Sequence, residues 1–94
     1  MEKRELDAGY VYLNGDRVKE EKIPDYMKGI RRGEWNCLVK PFNNPKEITV
    51  WIKKQMDNSS IIDPESAKVS IANANYSNGS YHWVYITFKN LFKE

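Results

Sequence analysis

The sequence predicts a small α+β domain: a mostly antiparallel sheet, made of two β-hairpins and a middle strand, with one or two short helices on one face. Three observations support this prediction: two Asn-Gly pairs between strand-like segments, an apolar segment at 34–42, and a capped amphipathic segment after Pro45. The length of 94 residues fits a single domain over 1–94, and a chain with 40% hydrophobic and 30% charged residues has a globular composition.

The first hairpin is predicted at Asn14-Gly15. Asn-Gly is the favoured pair for a two-residue type I′ turn because both central residues need positive φ. Pairing across this turn places Val11 opposite Val18 on one face, and on the other face Tyr10 opposite Lys19 and Tyr12 opposite Arg17. The charged second strand suits the edge of a sheet.

A short helix and a strand are predicted next. The segment IPDYMKGIRRGE has apolar residues at helical spacing, namely Ile23, Tyr26, Met27 and Ile30. Gly29 makes this helix weak and Gly33 is expected to end it. In the strand EWNCLVKPF (34–42), Trp35, Cys37 and Val39 would face one way. Pro41 is expected to end the ladder because it has no N–H to donate.

The second helix is predicted from its start signal. Asn44 can cap it, Pro45 suits the first helical position, and Glu47 follows three residues after the cap. One face then holds Ile48, Trp51, Ile52, Gln55 and Met56, while Lys46, Lys53, Lys54 and Asp57 lie away from it. A strand through EITVWIK is the alternative, since Ile, Thr and Val are β-branched. The capping pattern favours the helix, with Trp51 and Ile52 packed on the sheet.

The second hairpin is predicted in KVSIANANYSNGSYHWVYITF, residues 68–88, with Asn78-Gly79 as a two-residue turn. This register pairs Tyr76 with Tyr81, Ala74 with Trp83, Ala72 with Tyr85, and Ser70 with Thr87. One face is expected to be buried, with Val69, Ile71, Val84, Ile86 and Phe88. The other face carries a row of large aromatic residues, which we call the aromatic row: Tyr76, Tyr81, Trp83 and Tyr85.

Catalytic and metal-binding patterns are not found in the sequence. His82 and Cys37 are the single histidine and cysteine, and a Cys37–His82 nucleophile pair would require their strands to be neighbours. The chain has neither His or Cys pairs at metal-ligand spacing nor a glycine-rich phosphate loop. We therefore expect a protein that is not an enzyme, with no cofactor and no metal.

The expected location is the cytoplasm, with no membrane association. A lone cysteine suits a reducing compartment, and no apolar run approaches the roughly 20 residues needed to span a bilayer. The charged start MEKRELDAG does not resemble a signal peptide. The formal net charge of +2 permits a nucleic-acid partner without requiring one.

The function that these patterns favour is a small binding module that occupies another protein, as an inhibitor, adaptor or accessory factor such as a virus or mobile element makes. We expect the aromatic row to be at least partly exposed and to form the interaction surface together with Arg31 and Arg32, which lie between glycines. A core role for the row, under the helices, is the competing interpretation.

Three other partners remain open. A nucleic acid would stack on the aromatic row and meet Arg31, Arg32, Lys53 and Lys54 through its phosphates. A nucleotide-like small ligand would bind between two protomers. A second copy of the chain would make a homodimer and cover the aromatic row.

Overall fold

The computed structural model describes residues 10–57, 60–77 and 79–91. It contains β1 (Tyr10–Leu13), β2 (Asp16–Lys19), α1 (Ile23–Met27), β3 (Trp35–Phe42), α2 (Lys46–Asp57), β4 (Lys68–Tyr76) and β5 (Gly79–Lys89). The strands form one antiparallel sheet in the order β2-β1-β3-β5-β4. The predicted α+β class is therefore confirmed.

The first hairpin has the predicted register, with Val11 opposite Val18 and Tyr12 opposite Arg17. Its turn residues adopt the positive φ that a type I′ turn needs, 53° at Asn14 and 93° at Gly15. The Asn14 side chain also fastens the turn to β3. Its Oδ1 accepts the Cys37 amide at 2.8 Å, and its Nδ2 donates to Oδ1 of buried Asn36 at 2.7 Å.

Replacing Asn14 with glycine should therefore lower the free energy of unfolding by about 1 to 3 kcal/mol, because Asn36 Oδ1 loses its donor while it stays buried. Glycine keeps the positive φ, so most of the loss comes from the side-chain hydrogen bonds, and a smaller part comes from the greater freedom of glycine in the unfolded chain. Asn14→Ala should cost about 1 kcal/mol more, since alanine is strained at that φ. Urea denaturation followed by circular dichroism measures both variants. Equal stability of Asn14→Gly and the wild type would contradict this role.

The helix α2 begins as predicted. The side-chain Oδ1 of Asn44 accepts the backbone N–H of Lys46 at 3.0 Å. Trp51 is buried and its ring contacts Phe42 of β3 at a centroid distance of 5.4 Å. Ile52 packs at the margin of the core, and Lys53 and Lys54 are exposed. The alternative strand over these residues is wrong.

The helix α1 is short, and a 3-10 turn, Glu20–Lys22, precedes it. Ile23 and Met27 are buried, whereas Tyr26 is exposed and donates a hydrogen bond to Asp16 of β2. That hydrogen bond raises the pKa of the Tyr26 hydroxyl above its usual value of 10.0. Because Ile23 and Met27 belong to the same buried cluster as the core residues of α2, α1 lies on the same face of the sheet as α2.

The middle strand continues through Pro41, so the prediction that Pro41 ends the ladder is wrong. Pro41 pairs with Trp83, and Phe42 still pairs with His82. On the other side of β3, the recorded pairs with β1 are Tyr12–Val39 and Leu13–Leu38. Pro41 lies beyond them, where its missing N–H removes no bond to β1.

The second hairpin forms with a register two residues from the predicted one. Tyr76 pairs with Gly79, which therefore belongs to β5 and not to the turn, while Asn78 lies outside the described residues. The other pairs on the same sheet face as Tyr76 are Ala74–Tyr81, Ala72–Trp83, Ser70–Tyr85 and Lys68–Thr87. Each large residue now faces a small one, whereas the predicted register set Tyr76 against Tyr81. A shift of two preserves the faces, so Ile71 and Ile86 share a face as predicted.

The sheet face that carries Ile71 and Ile86 was predicted to be buried, which is correct for β5 and wrong for β4. Val84, Ile86 and Phe88 are fully buried, but Val69 and Ile71 keep 44% and 52% of their surface exposed. The reason is the strand order, which puts β4 at the edge of the sheet. The hydrophobic core lies between the two helices and one face of the sheet. It consists of Val11, Leu13, Val18, Ile23, Met27, Leu38, Phe42, Ile48, Trp51, Ile61, Ile62, Val84, Ile86 and Phe88.

Neither helix of the described residues is long and apolar enough to cross a membrane.

Candidate interaction surface

The sheet has one face that neither helix covers, which we call the outer face. Both helices and the buried pair Ile61 and Ile62 belong to the core on the opposite side. Because side chains alternate along each strand, the pairing assigns every second residue to the outer face. These residues are Tyr10, Tyr12, Arg17, Lys19, Trp35, Cys37, Val39, Pro41, Lys68, Ser70, Ala72, Ala74, Tyr76, Tyr81, Trp83, Tyr85, Thr87 and Lys89.

The aromatic row lies on this outer face. Tyr76 is 39% exposed, and Tyr81, Trp83 and Tyr85 are half-buried. Their neighbours on β4 are Ala72, Ala74 and Ser70, whose small side chains leave the rings broad room on the sheet. The predicted partial exposure is confirmed, and the interpretation of the row as core beneath the helices is wrong.

The rings of the outer face contact one another. The indole Nε1 of Trp83 donates to the Tyr76 hydroxyl at 2.9 Å, and the Tyr76 and Tyr81 rings meet edge to face at 5.5 Å. Tyr12 reaches Trp83 from β1 across β3, with ring centroids 6.0 Å apart. A hydrogen bond and two ring contacts therefore hold Trp83 and its neighbours in one arrangement.

Sequence reasoning did not connect the tyrosines of the first hairpin with the aromatic row. Tyr10 and Tyr12 were assigned to one face of their own hairpin, but the order that sets β3 between β1 and β5 is encoded in no local pattern. Trp35 also lies on the outer face and is exposed. The aromatic surface therefore extends across four strands.

Cations border the rings on the outer face. The guanidinium of Arg17 lies 4.2 Å from the centre of the Tyr10 ring, and the Lys89 ammonium lies 5.4 Å from the Trp35 ring. Lys19 and Lys68 complete the set of basic residues on this face.

No acidic side chain lies on the outer face of the described strands. The nearby carboxylates face the helices: Asp16 accepts from Tyr26 of α1, and Glu20 pairs with Lys40 on the core side of β3. Every charged side chain on the outer face of the described strands is therefore basic, although the net charge of the chain is only +2.

The structure separates the other predicted contact residues from the aromatic row. Arg31 and Arg32 are exposed in the loop before β3. Buried Asn90 anchors this loop by donating to the carbonyl of Arg31 at 3.2 Å. The loop therefore lies at the Lys89 end of β5, about 13 Å along the strand from Tyr85 and about 27 Å from Tyr81.

The two basic residues of α2 are separated from the row by the sheet itself. Lys53 and Lys54 are exposed on the helix, which packs against the opposite face. Of the predicted site residues, the outer face therefore unites the four aromatic ones and none of the basic ones.

The Cys37–His82 pair considered from the sequence does not form, although their strands are neighbours. Cys37 is on the outer face and pairs with Thr87, whose hydroxyl lies 3.8 Å from the Cys37 sulfur. His82 is on the helix-bearing face, with Nδ1 at 2.6 Å from Oδ1 of Asn73. Among the described residues, no group of three or more potential ligands gathers to hold a metal ion.

Comparisons of the chain with protein families, with curated proteins and with solved structures found no match.

Proposed function

We propose that this protein is a non-enzymatic binding module that occupies another protein through its outer face. The observation that carries this proposal is the aromatic surface around Trp83, which neither helix of the described residues covers, because a chain seldom leaves a contiguous apolar patch of this kind unused. Tyrosine and tryptophan dominate the binding energy of protein interfaces because they bury a large area at a small entropic cost.

The contacts among the rings support a protein partner. Trp83 is held by Tyr76 and Tyr12, so binding would fix few additional side-chain torsions. Because the alanines of β4 have small side chains, the surface beside the rings is shallow. A shallow surface suits an apolar protein surface better than a small ligand, which needs a deep pocket. An inhibitor or adaptor needs no more than such a platform.

The charges indicate the chemistry of that partner. Arg17 and Lys19 border the rings on one side, and Lys68 and Lys89 lie toward one end of the face. A complementary partner would present an apolar centre with carboxylates at its margin. We place the interaction in the cytoplasm, since Cys37 is the chain's single cysteine.

A single-stranded nucleic acid is the second candidate, favoured by the same purely basic margin around aromatic rings. Arg17 over Tyr10 and Lys89 over Trp35 weaken it, because a ring face that a cation already covers is less available to a base. Protein therefore remains the first candidate.

Affinity capture from an extract of the source cell tests the choice when wild-type and variant baits are compared. Trp83→Ala removes the ring that contacts both Tyr12 and Tyr76 on the outer face. Tyr26→Ala is the matched control, because Tyr26 is 37% exposed, is hydrogen-bonded and lies on the helix side. We expect a defined protein to bind the wild type and the control and to be lost with Trp83→Ala. Equal capture by all three baits would contradict the proposal.

A labelled single-stranded oligonucleotide tests the second candidate in parallel. If all four cations contact phosphates, affinity should fall roughly 50-fold between 50 and 200 mM salt. Solvent-exposed charges at the rim of a protein interface contribute little to affinity. The capture of a protein should therefore depend far less on salt concentration. Oligonucleotide binding that follows the steep dependence and needs Trp83 would replace the first proposal with the second.

A further inference from the structure

The two edges of the sheet differ in how they are protected against pairing with another chain. The edge strand β2 has four residues, and three of them, Asp16, Arg17 and Lys19, are charged. The opposite edge strand, β4, has nine residues, no proline, and Lys68 at its end as its single charge. Short length and charge are the usual means of blocking an open edge, and β4 has neither.

The residues along β4 also leave apolar surface beside this open edge. Val69 and Ile71 are half exposed on the helix-bearing face, although their partners on β5, Ile86 and Val84, are fully buried. Within the part of the chain that the structure describes, β5 is the only strand paired with β4. Every second residue of β4 therefore directs an unpaired N–H and C=O away from the sheet.

We propose that the β4 edge pairs with the β4 edge of a second copy, antiparallel about a twofold axis at Ala72, so that two sheets join into one. This register uses the whole strand, because residues 68–76 of one copy face residues 76–68 of the other. Ala72 then faces itself, and Lys68 faces Tyr76 of the second copy instead of another lysine.

The chemistry of β4 selects a second copy as its occupant. The strand is almost uncharged, so two copies meet with no row of like charges. Ile71 faces Asn73 of the second copy and lies diagonal to the second Ile71, so the exposed apolar side chains of both edges meet at the centre. The self-pairing is isologous and closes after two copies.

The joined sheet would place two outer faces side by side, since antiparallel pairing about an axis normal to the sheet keeps each face on its own side. Residues of β4 take part in both surfaces but with different groups: the backbone edge pairs with the second copy, and Tyr76 stays on the outer face. Self-association and partner binding are therefore separable.

Sedimentation of the full chain at increasing concentration tests the pairing. A two-strand contact buries on the order of 1,000 Å², at the low end for specific interfaces, so dimerisation is expected at high micromolar concentration. Ile71→Lys should weaken it at least about tenfold, because two lysines then lie diagonal across the axis. Val50→Lys is the matched control, adding the same charge at a 70% exposed residue of α2, and it should sediment as the wild type.

Disulfide trapping tests the register independently of whether Ile71→Lys folds. In a Cys37→Ser background, Ala72→Cys should cross-link two copies under oxidation, because paired α-carbons about 4.5 to 5.5 Å apart suit a disulfide. Val50→Cys is the control and should not cross-link above background. A wild type that stays monomeric at about 1 mM, a dimer that Ile71→Lys leaves unchanged, or equal cross-linking by both cysteine variants would overturn the proposal.

Discussion

Replacing Trp51 with alanine should lower the free energy of unfolding by about 3 to 5 kcal/mol, because the indole leaves a cavity in the core that the neighbours fill only partly. Trp51 is 5% exposed and packs on Phe42, where it joins α2 to β3. A domain of this size has a total stability of about 5 to 15 kcal/mol, so the variant should be near the limit of folding. Urea denaturation followed by circular dichroism gives the difference.

Trp51→Phe serves as the control and should lose much less, about 1 kcal/mol, because it keeps a ring on Phe42 and removes a buried N–H. The Trp51 Nε1 is buried and has no hydrogen-bond partner among the described residues, so phenylalanine removes an unsatisfied donor while leaving a smaller cavity. Equal losses for the two variants would show that the packing of the ring is not what Trp51 contributes.

Replacing Trp83 with alanine should weaken partner binding by about 2 to 4 kcal/mol, which is roughly 30- to 1,000-fold in Kd. Trp83 contacts Tyr12 on one side and Tyr76 on the other, so its loss removes one anchor and loosens two others. The free energy of unfolding should fall by about 1 to 2 kcal/mol, less than for Trp51→Ala, since the Trp83 side chain is only partly buried. Calorimetric titration of the captured partner measures the affinity.

Tyr26→Ala should leave the same affinity within about twofold, because Tyr26 is on the helix side of the sheet. Loss of binding in both variants would indicate a partner that contacts the helices. Loss of folding in Trp83→Ala would instead assign the ring to the core and contradict its role as an anchor.

The local elements could be predicted because their determinants are local. Asn14 and Gly15 adopt the left-handed conformations that a type I′ turn demands, and this fixed the first hairpin to the residue. The helix α2 followed from Asn44 as a side-chain cap and from the helical spacing of the apolar residues between Ile48 and Met56.

The second hairpin could be predicted only to within two residues. Its alternation of apolar and polar residues is satisfied equally by registers that differ by two, since both keep Ile71 and Ile86 on one face. What decides between them is the fit of opposing side chains, with Gly79 opposite Tyr76 and Ala72 opposite Trp83. The Asn-Gly pair alone pointed to the other register.

The outer face depended on strand order, which no local pattern reveals. Tyr12 meets Trp83 because β3 lies between β1 and β5, and Ile71 is exposed because β4 is an edge. The sequence predicts that the aromatic row lies on one face and that Arg31 and Arg32 also contact the partner. In the structure, the basic residues beside the rings are instead ones such as Arg17 and Lys89.

The three tryptophans offer the most direct measurement of whether the outer face engages a partner. Each indole N–H gives its own resonance in a nitrogen-15 correlation spectrum, and Trp83 is on the outer face while Trp51 is in the core. On addition of the captured partner, we expect the Trp83 indole signal to shift or broaden and the Trp51 signal to stay in place. Movement of the Trp51 signal with an unchanged Trp83 signal would contradict the account.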